Sequence, residues 1–133
     1  FNKDSFIKMT NSLQFKMELI LADFPIDIFL LNDEEAIQLT AQNNLHDAGQ
    51  ILLKKGPSYI IIKKGAYGSM LIENNSVIDI PVYPNVKIVD PTGAGDSYAG
   101  GLLGYINNYG ISEIVDAMIY ASAIAYYKFR DLI

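Results

Sequence analysis

One short stretch holds the most reactive pattern in this chain: Asp90-Pro91-Thr92-Gly93-Ala94-Gly95-Asp96, running on into Ser97-Tyr98-Ala99-Gly100-Gly101-Leu102-Leu103. Val86 to Val89 reads as a short strand leading in, and Ser97 to Asn108 as a helix leading away. Amides at a helix N-terminus lack intrahelical acceptors, and the macrodipole adds partial positive charge there. Gly93 and Gly95 have no side chain to keep an anion at a distance. Such a turn is an anion site, and phosphate is its usual guest. Asp96 is out of place in it, because a carboxylate repels phosphate. It makes sense if it takes the proton from a hydroxyl that attacks the phosphate. The alternative is that Asp96 only complements the helix dipole, an effect of under about 1 kcal/mol.

Two other phosphate patterns are ruled out at this turn. No Gly-Lys-Ser/Thr follows it, so it is not a P-loop. Tyr98 stands where the dinucleotide fingerprint needs its third glycine, which disfavours a nicotinamide-dependent dehydrogenase. Elsewhere, Asn32-Asp33-Glu34-Glu35 has the spacing of a capping box, with Asn32 as N-cap and Glu35 at the third helical position. Lys63-Lys64-Gly65-Ala66-Tyr67-Gly68 is a glycine-bounded turn whose lysines are solvated if it is a plain hairpin. His46 has no partner ligand in sequence and reads as a surface residue.

The elements that must position these residues alternate. Leu13, Met17, Ile20 and Leu21 mark an amphipathic helix over Ser12 to Leu21, closed by Pro25. Ile26 to Leu31 and Tyr59 to Ile62 are apolar runs suited to strands covered on both faces. Between them lie a helix from Asp33 to about Ala41 and another from Leu45 to Lys55, with Lys54 and Lys55 in its last turn and Gly56 as its stop. Ser69 to Ile72 and Val77 to Val82 read as strands joined by a turn at Asn74-Asn75, and Ser112 to about Phe129 as a final helix. Small residues (Ala99, Gly100, Gly101, Gly104) let the helix after the glycine loop pack closely. The alternation predicts an α/β layer with a largely parallel sheet.

The chain has 133 residues, half of them hydrophobic, which suits one folded domain. A net charge of −5 without a basic cluster argues against nucleic acid as a partner. Without cysteine there is no disulfide framework, and one histidine makes a structural zinc site a poor fit. No apolar run is long enough to span a bilayer and no signal peptide opens the chain, so we expect neither a membrane partner nor export from the cytoplasm. The first residue is Phe1, and an upstream segment is expected.

The run Tyr83 to Tyr105, with DPTGAGDSYAGGLL at its centre, resembles the C-terminal signature of the ribokinase-like (PfkB) carbohydrate kinases. The resemblance implies a ribokinase-like layered fold, a mostly parallel sheet flanked by helices. It is incomplete, because the N-terminal half and the β-sheet lid are absent. Residues 1–133 then form the C-terminal nucleotide-binding and catalytic part, with 1–25 a lead-in that matches no family motif. The implied activity is ATP-dependent transfer of the γ-phosphate to a hydroxyl of a sugar or nucleoside. Asp96 is the general base, and the amides of Gly93, Ala94 and Gly95 form the anion hole. Asn32 and Glu35 match the family's Asn-x-x-Glu motif, which organises Mg²⁺ through water, and this role can coexist with capping. Lys63, Gly65 and Gly68 match a strand and turn beside the nucleotide.

The same resemblance assigns Asp90 and Thr92 to a monovalent cation such as K⁺, and Thr92 also lies in the nucleotide loop. Ala121 and Ser122 fall where the family's adenine pocket takes small residues, although ordinary helix packing explains them equally. A homodimer is expected of the full-length protein, and this chain alone is expected to be inactive. The competing expectation is a non-catalytic nucleotide-binding or interaction module of the same fold.

Overall fold

The computed structural model describes residues 27–74, 76–82 and 94–127. The expected helix over Ser12 to Leu21, the strand over Val86 to Val89 and the start of the strand at Ile26 lie outside the described residues. The chain divides into two compact units, Phe1–Asp79 and Ile80–Ile133.

The first unit is a four-stranded sheet with two helices packed on it. Strand β1 (Ile28–Asn32) leads directly into helix α1 (Asp33–Thr40), then helix α2 (Leu45–Leu53) and strand β2 (Tyr59–Lys63). A 3₁₀ turn (Gly65–Tyr67) reverses the chain into strand β3 (Ser69–Glu73), and strand β4 (Ser76–Ile80) follows. The sheet order is β1-β2-β3-β4. Strands β1 and β2 run parallel, Ile28 beside Tyr59 through Asn32 beside Lys63. Strands β2 and β3 run antiparallel, Ile60 beside Ile72 through Lys63 beside Ser69. The described sheet is therefore a parallel pair, joined through helices as a parallel connection requires, extended on one side by tight reversals.

Alternation along the strands explains the core. Phe29, Leu31, Ile60, Ile62 and Ile72 point to one face and close on Ala36 and Leu39 of α1 and Ala48 and Leu52 of α2. Their neighbours Ile28, Leu30, Ile61 and Leu71 point the other way and are equally buried. That is why β1 and β2 read as unbroken apolar runs.

Helix α1 starts on a complete capping box. The Glu35 amide donates to Asn32 Oδ1 at 2.8 Å, and the Asn32 amide donates to Glu35 Oε1 at 2.9 Å. Asn44 caps α2 in the same way, its Oδ1 accepting from the Asp47 amide at 3.1 Å. Helix α2 ends at Leu53, earlier than expected, so Lys54 is the C-cap and Lys55 lies beyond it. Gly56, at φ 130°, takes the backbone out of the helix as anticipated.

The second unit contains helix α3 (Ala94–Tyr109), a 3₁₀ turn (Ile111–Glu113) and helix α4 (Ile114–Tyr127). The two helices pack on each other through Leu102, Ala117, Met118 and Ala121, all buried. Gly101 allows the approach: a Cβ on it would stand 3.4 Å from the Ala121 Cα. Among the described residues Gly100 and Gly104 have nothing within 4 Å of that position, so of these three glycines it is Gly101 that the packing uses. Among the described residues no helix is long and apolar enough to cross a membrane.

Two outcomes test this packing. At Gly49 a Cβ would meet Ile72 Cδ1 at 2.6 Å and Cγ1 at 2.8 Å, and Ile72 is fully buried. Overpacking outweighs the gain in helix propensity, so Gly49→Ala lowers stability by about 1–2 kcal/mol, read as a drop in denaturant midpoint. Asn32→Ala removes the cap and lowers stability by about 1 kcal/mol, whereas Asn32→Asp, which still caps, leaves it near the wild-type value.

Candidate active site

In the first unit the parallel register sets one group of candidate residues. Asn32 and Lys63 are the last residues of β1 and β2 and stand side by side in the ladder, with Ser69 opposite Lys63 on β3. Partners in a ladder share a face, so Asn32, Lys63 and Ser69 make one polar row at the carboxyl end of the parallel pair. That end of an α/β sheet is where ligands bind. Asn32 is exposed, Lys63 half-buried and Ser69 buried.

Beyond Lys63 the chain turns on two glycines with positive φ, Gly65 at 59° and Gly68 at 91°. These angles explain why glycine stands at both places. The turn is held by Lys64 N donating to Gly68 O at 2.7 Å, Tyr67 N to Lys64 O at 3.1 Å and Gly68 N to Gly65 O at 3.2 Å. Lys64 also reaches Asp79 on β4, Nζ to Oδ1 at 2.7 Å, which ties the turn to that strand. The reading of both lysines as solvated therefore fails for Lys64. Among the described residues nothing lies within 4 Å of where a Gly65 Cβ would be. Tyr67, at the end of the turn, is 85% exposed.

At Asn32 and Glu35 the capping reading is realised in full. Glu35 spends Oε1 on the cap, and Asp33 Oδ1 accepts from the Glu34 amide at 3.0 Å. Three acidic residues thus share the first turn of α1, where the helix dipole favours negative charge. Among the described residues no group of three or more His, Cys, Asp or Glu is placed to hold a metal ion. His46 is exposed on α2.

The second unit contains the start of α3. The helix begins at Ala94, three residues before the expected Ser97, so Ala94, Gly95 and Asp96 are its first three residues. The early start has a simple cause. First-turn residues need no intrahelical amide partner, so a glycine there costs less than its interior propensity suggests. Gly95 and Asp96 are both exposed. Asp90, Thr92 and Gly93 lie outside the described residues. Asp96, Gly100 and Gly104 are four residues apart and share one face of α3. Below Asp96 that face borders an open groove of about 400 Å³ between α3 and α4, lined by Tyr105, Asn108, Tyr109 and Tyr120 among others. Tyr105 packs on Tyr109 and Tyr120, ring centroids 4.6 and 5.4 Å away. Desolvation, then the charges of Asp116, Tyr109 and Glu113, push its phenol pKa up from the ordinary value.

Ala121 and Ser122 are buried in α4, Ala121 against Gly101, so the packing explanation has a direct counterpart in the structure. Ser69 was not singled out from the sequence. A serine after a glycine turn gives no signal of burial, and only the strand register places it in the row.

Comparison with known proteins finds relatives of one family. The model of the pfkB family carbohydrate kinase matches residues 12–128. Cytidine kinase of Thermococcus kodakarensis is 36% identical over 93 residues, which cover 68% of this chain and 33% of that protein. The structure of aminoimidazole riboside kinase from Salmonella enterica, solved with aminoimidazole riboside and an ATP analog, superposes with a TM-score of 0.73 at 28% identity, over 86% of this chain and 40% of that one. A structure from E. coli described as a ribokinase II, solved with ATP and Mg²⁺, gives a TM-score of 0.72 at 26% identity, over 85% of this chain and 35% of that one. The chain thus spans well under half the length of the proteins it matches. A mixed α/β sheet flanked by helices, a helix that begins Ala94-Gly95-Asp96, and a family model that runs through nearly the whole sequence agree on one assignment: this chain belongs to the pfkB family of carbohydrate kinases, as a fragment of the family's kinase fold.

Proposed function

We propose that residues 1–133 are the nucleotide-binding and catalytic part of a kinase that moves the γ-phosphoryl group of ATP to a hydroxyl of a sugar or nucleoside. The carrying observation is the exposed Asp96 at the third position of α3, directly after Ala94 and Gly95. In this reading the acceptor hydroxyl gives its proton to the Asp96 carboxylate as its oxygen bonds to the γ-phosphorus. The bond from that phosphorus to the β,γ-bridging oxygen breaks, and ADP leaves. The amides of Gly93, Ala94 and Gly95 hold the charge that gathers on the phosphoryl oxygens.

The remaining assignments follow the same reading. Lys63, Gly65 and Gly68 are assigned to the nucleotide's phosphate side, on a turn whose two glycines carry no side chain, and Thr92, Ala121 and Ser122 are assigned to nucleotide binding. Magnesium fits beside Asn32 and Glu35 without a cage of carboxylates, because it keeps most of its water. Glu35 uses Oε1 for the cap, leaving its second carboxylate oxygen to face such a water. When bound, the ion neutralises phosphate charge. Asp90 and Thr92 are assigned to a monovalent cation such as K⁺. The whole protein acts in the cytoplasm as a homodimer, and the 133-residue chain is inactive alone, because little in it holds an acceptor hydroxyl near Asp96.

The acceptor class rests on the matched proteins, which are named for cytidine, aminoimidazole riboside and ribose. A second reading is a non-catalytic nucleotide-binding module of the same fold. Asp96 speaks against it, since a pure binder gains from a negative charge beside an anion seat only the helix-dipole effect of under about 1 kcal/mol.

Asp96→Asn separates the two. In the full-length protein the substitution cuts turnover by about 10²–10⁴-fold and leaves the dissociation constant for ATP near its wild-type value, measured by a coupled ADP assay and calorimetry. Unchanged turnover removes Asp96 as the base.

A further inference from the structure

The polar row at the carboxyl end of β1 and β2 contains one group that the mechanism above does not use. Ser69 is 2% exposed, and its Oγ has no hydrogen-bond partner among the described residues. Buried hydroxyls are nearly always paired, and an unpaired one weakens the fold that carries it. Its place is informative. Ser69 follows Gly68 at the end of the turn and stands opposite Lys63 in the ladder, which in turn stands beside Asn32. The hydroxyl therefore lies on the same sheet face as a lysine and at the strand ends where an anion would be received.

Resting on the kinase reading, we infer that Ser69 is a phosphate-binding residue, whose hydroxyl donates to an oxygen of the nucleotide's polyphosphate tail when that tail settles over Lys63. A serine side chain turns about one bond among three staggered positions, so Oγ can be re-aimed without moving the backbone. The flanking Gly68, at φ 91°, puts no side chain in the way. A donor that meets its acceptor only in the complex is a liability to the free protein and a gain to the bound one. That opposition makes the role measurable, because a hydroxyl that merely serves the fold does the reverse.

The test compares Ser69→Ala and the near-isosteric Ser69→Cys with wild type. Thermal unfolding is followed without ligand, and calorimetry is run with ATP, inorganic tripolyphosphate and adenosine. The expected result is a melting temperature equal to or above wild type in the free protein. Binding of ATP and tripolyphosphate weakens about tenfold or more, as for loss of a hydrogen bond to a charged group, and adenosine binding is unchanged. Unaltered affinity for tripolyphosphate in both variants overturns the inference. So does a fall in melting temperature with normal ATP affinity, or an equal loss for adenosine. Wild-type protein that binds neither ATP nor tripolyphosphate overturns the kinase reading along with it, whereas wild-type binding with indifferent Ser69 variants overturns this inference alone.

Discussion

The ladder between β1 and β2 constrains everything else in the first unit. Five residues of each strand run in step, Ile28 beside Tyr59 and Asn32 beside Lys63, and both strands end at the same level. Because they end together, the start of α1 and the turn at Gly65 open on the same edge of the sheet. A slip of one residue would reverse the faces of Phe29, Leu31, Ile60 and Ile62 and expose the core they share with α1 and α2. The requirement to bury that core therefore fixes the register of the polar row as well. Functional geometry here is a by-product of apolar burial.

The start of α3 answers a different constraint. Its first turn contains Gly95, a poor helix former, at a place where little propensity is needed because the amides have no partners to lose. The same property that permits a glycine there makes those amides available to an anion. Asn32 and Glu35 show the converse economy: each accepts the other's backbone amide, so one pair of side chains satisfies two orphan amides at the start of α1.

How much of this was legible in the sequence depended on the kind of signal. The strands were, because Ile28 to Leu31 and Tyr59 to Ile62 are buried on both faces and carry no polar interruption. The capping box at Asn32 was, because its spacing is local. Helix ends were less so. Lys54 and Lys55 were expected inside α2 on charge grounds, whereas the helix stops at Leu53, and α3 begins before the residue that propensity favours. The pairing of Lys64 with Asp79 and the burial of Ser69 were not legible at all, since both depend on which strand lies beside which. The loop that carries Asp90, Thr92 and Gly93 was the clearest family signal and lies outside the described residues.

The bridge from Lys64 to Asp79 has an implication for how the glycine turn behaves in solution. Asp79 is 64% exposed, so the pair sits within reach of dissolved ions that screen such contacts. It anchors a segment whose two glycines otherwise leave the backbone great freedom. Ionic strength thus becomes a dial on local stiffness: in dilute buffer the turn is clasped to the sheet margin, and in concentrated electrolyte the clasp loosens while the apolar interior is left intact.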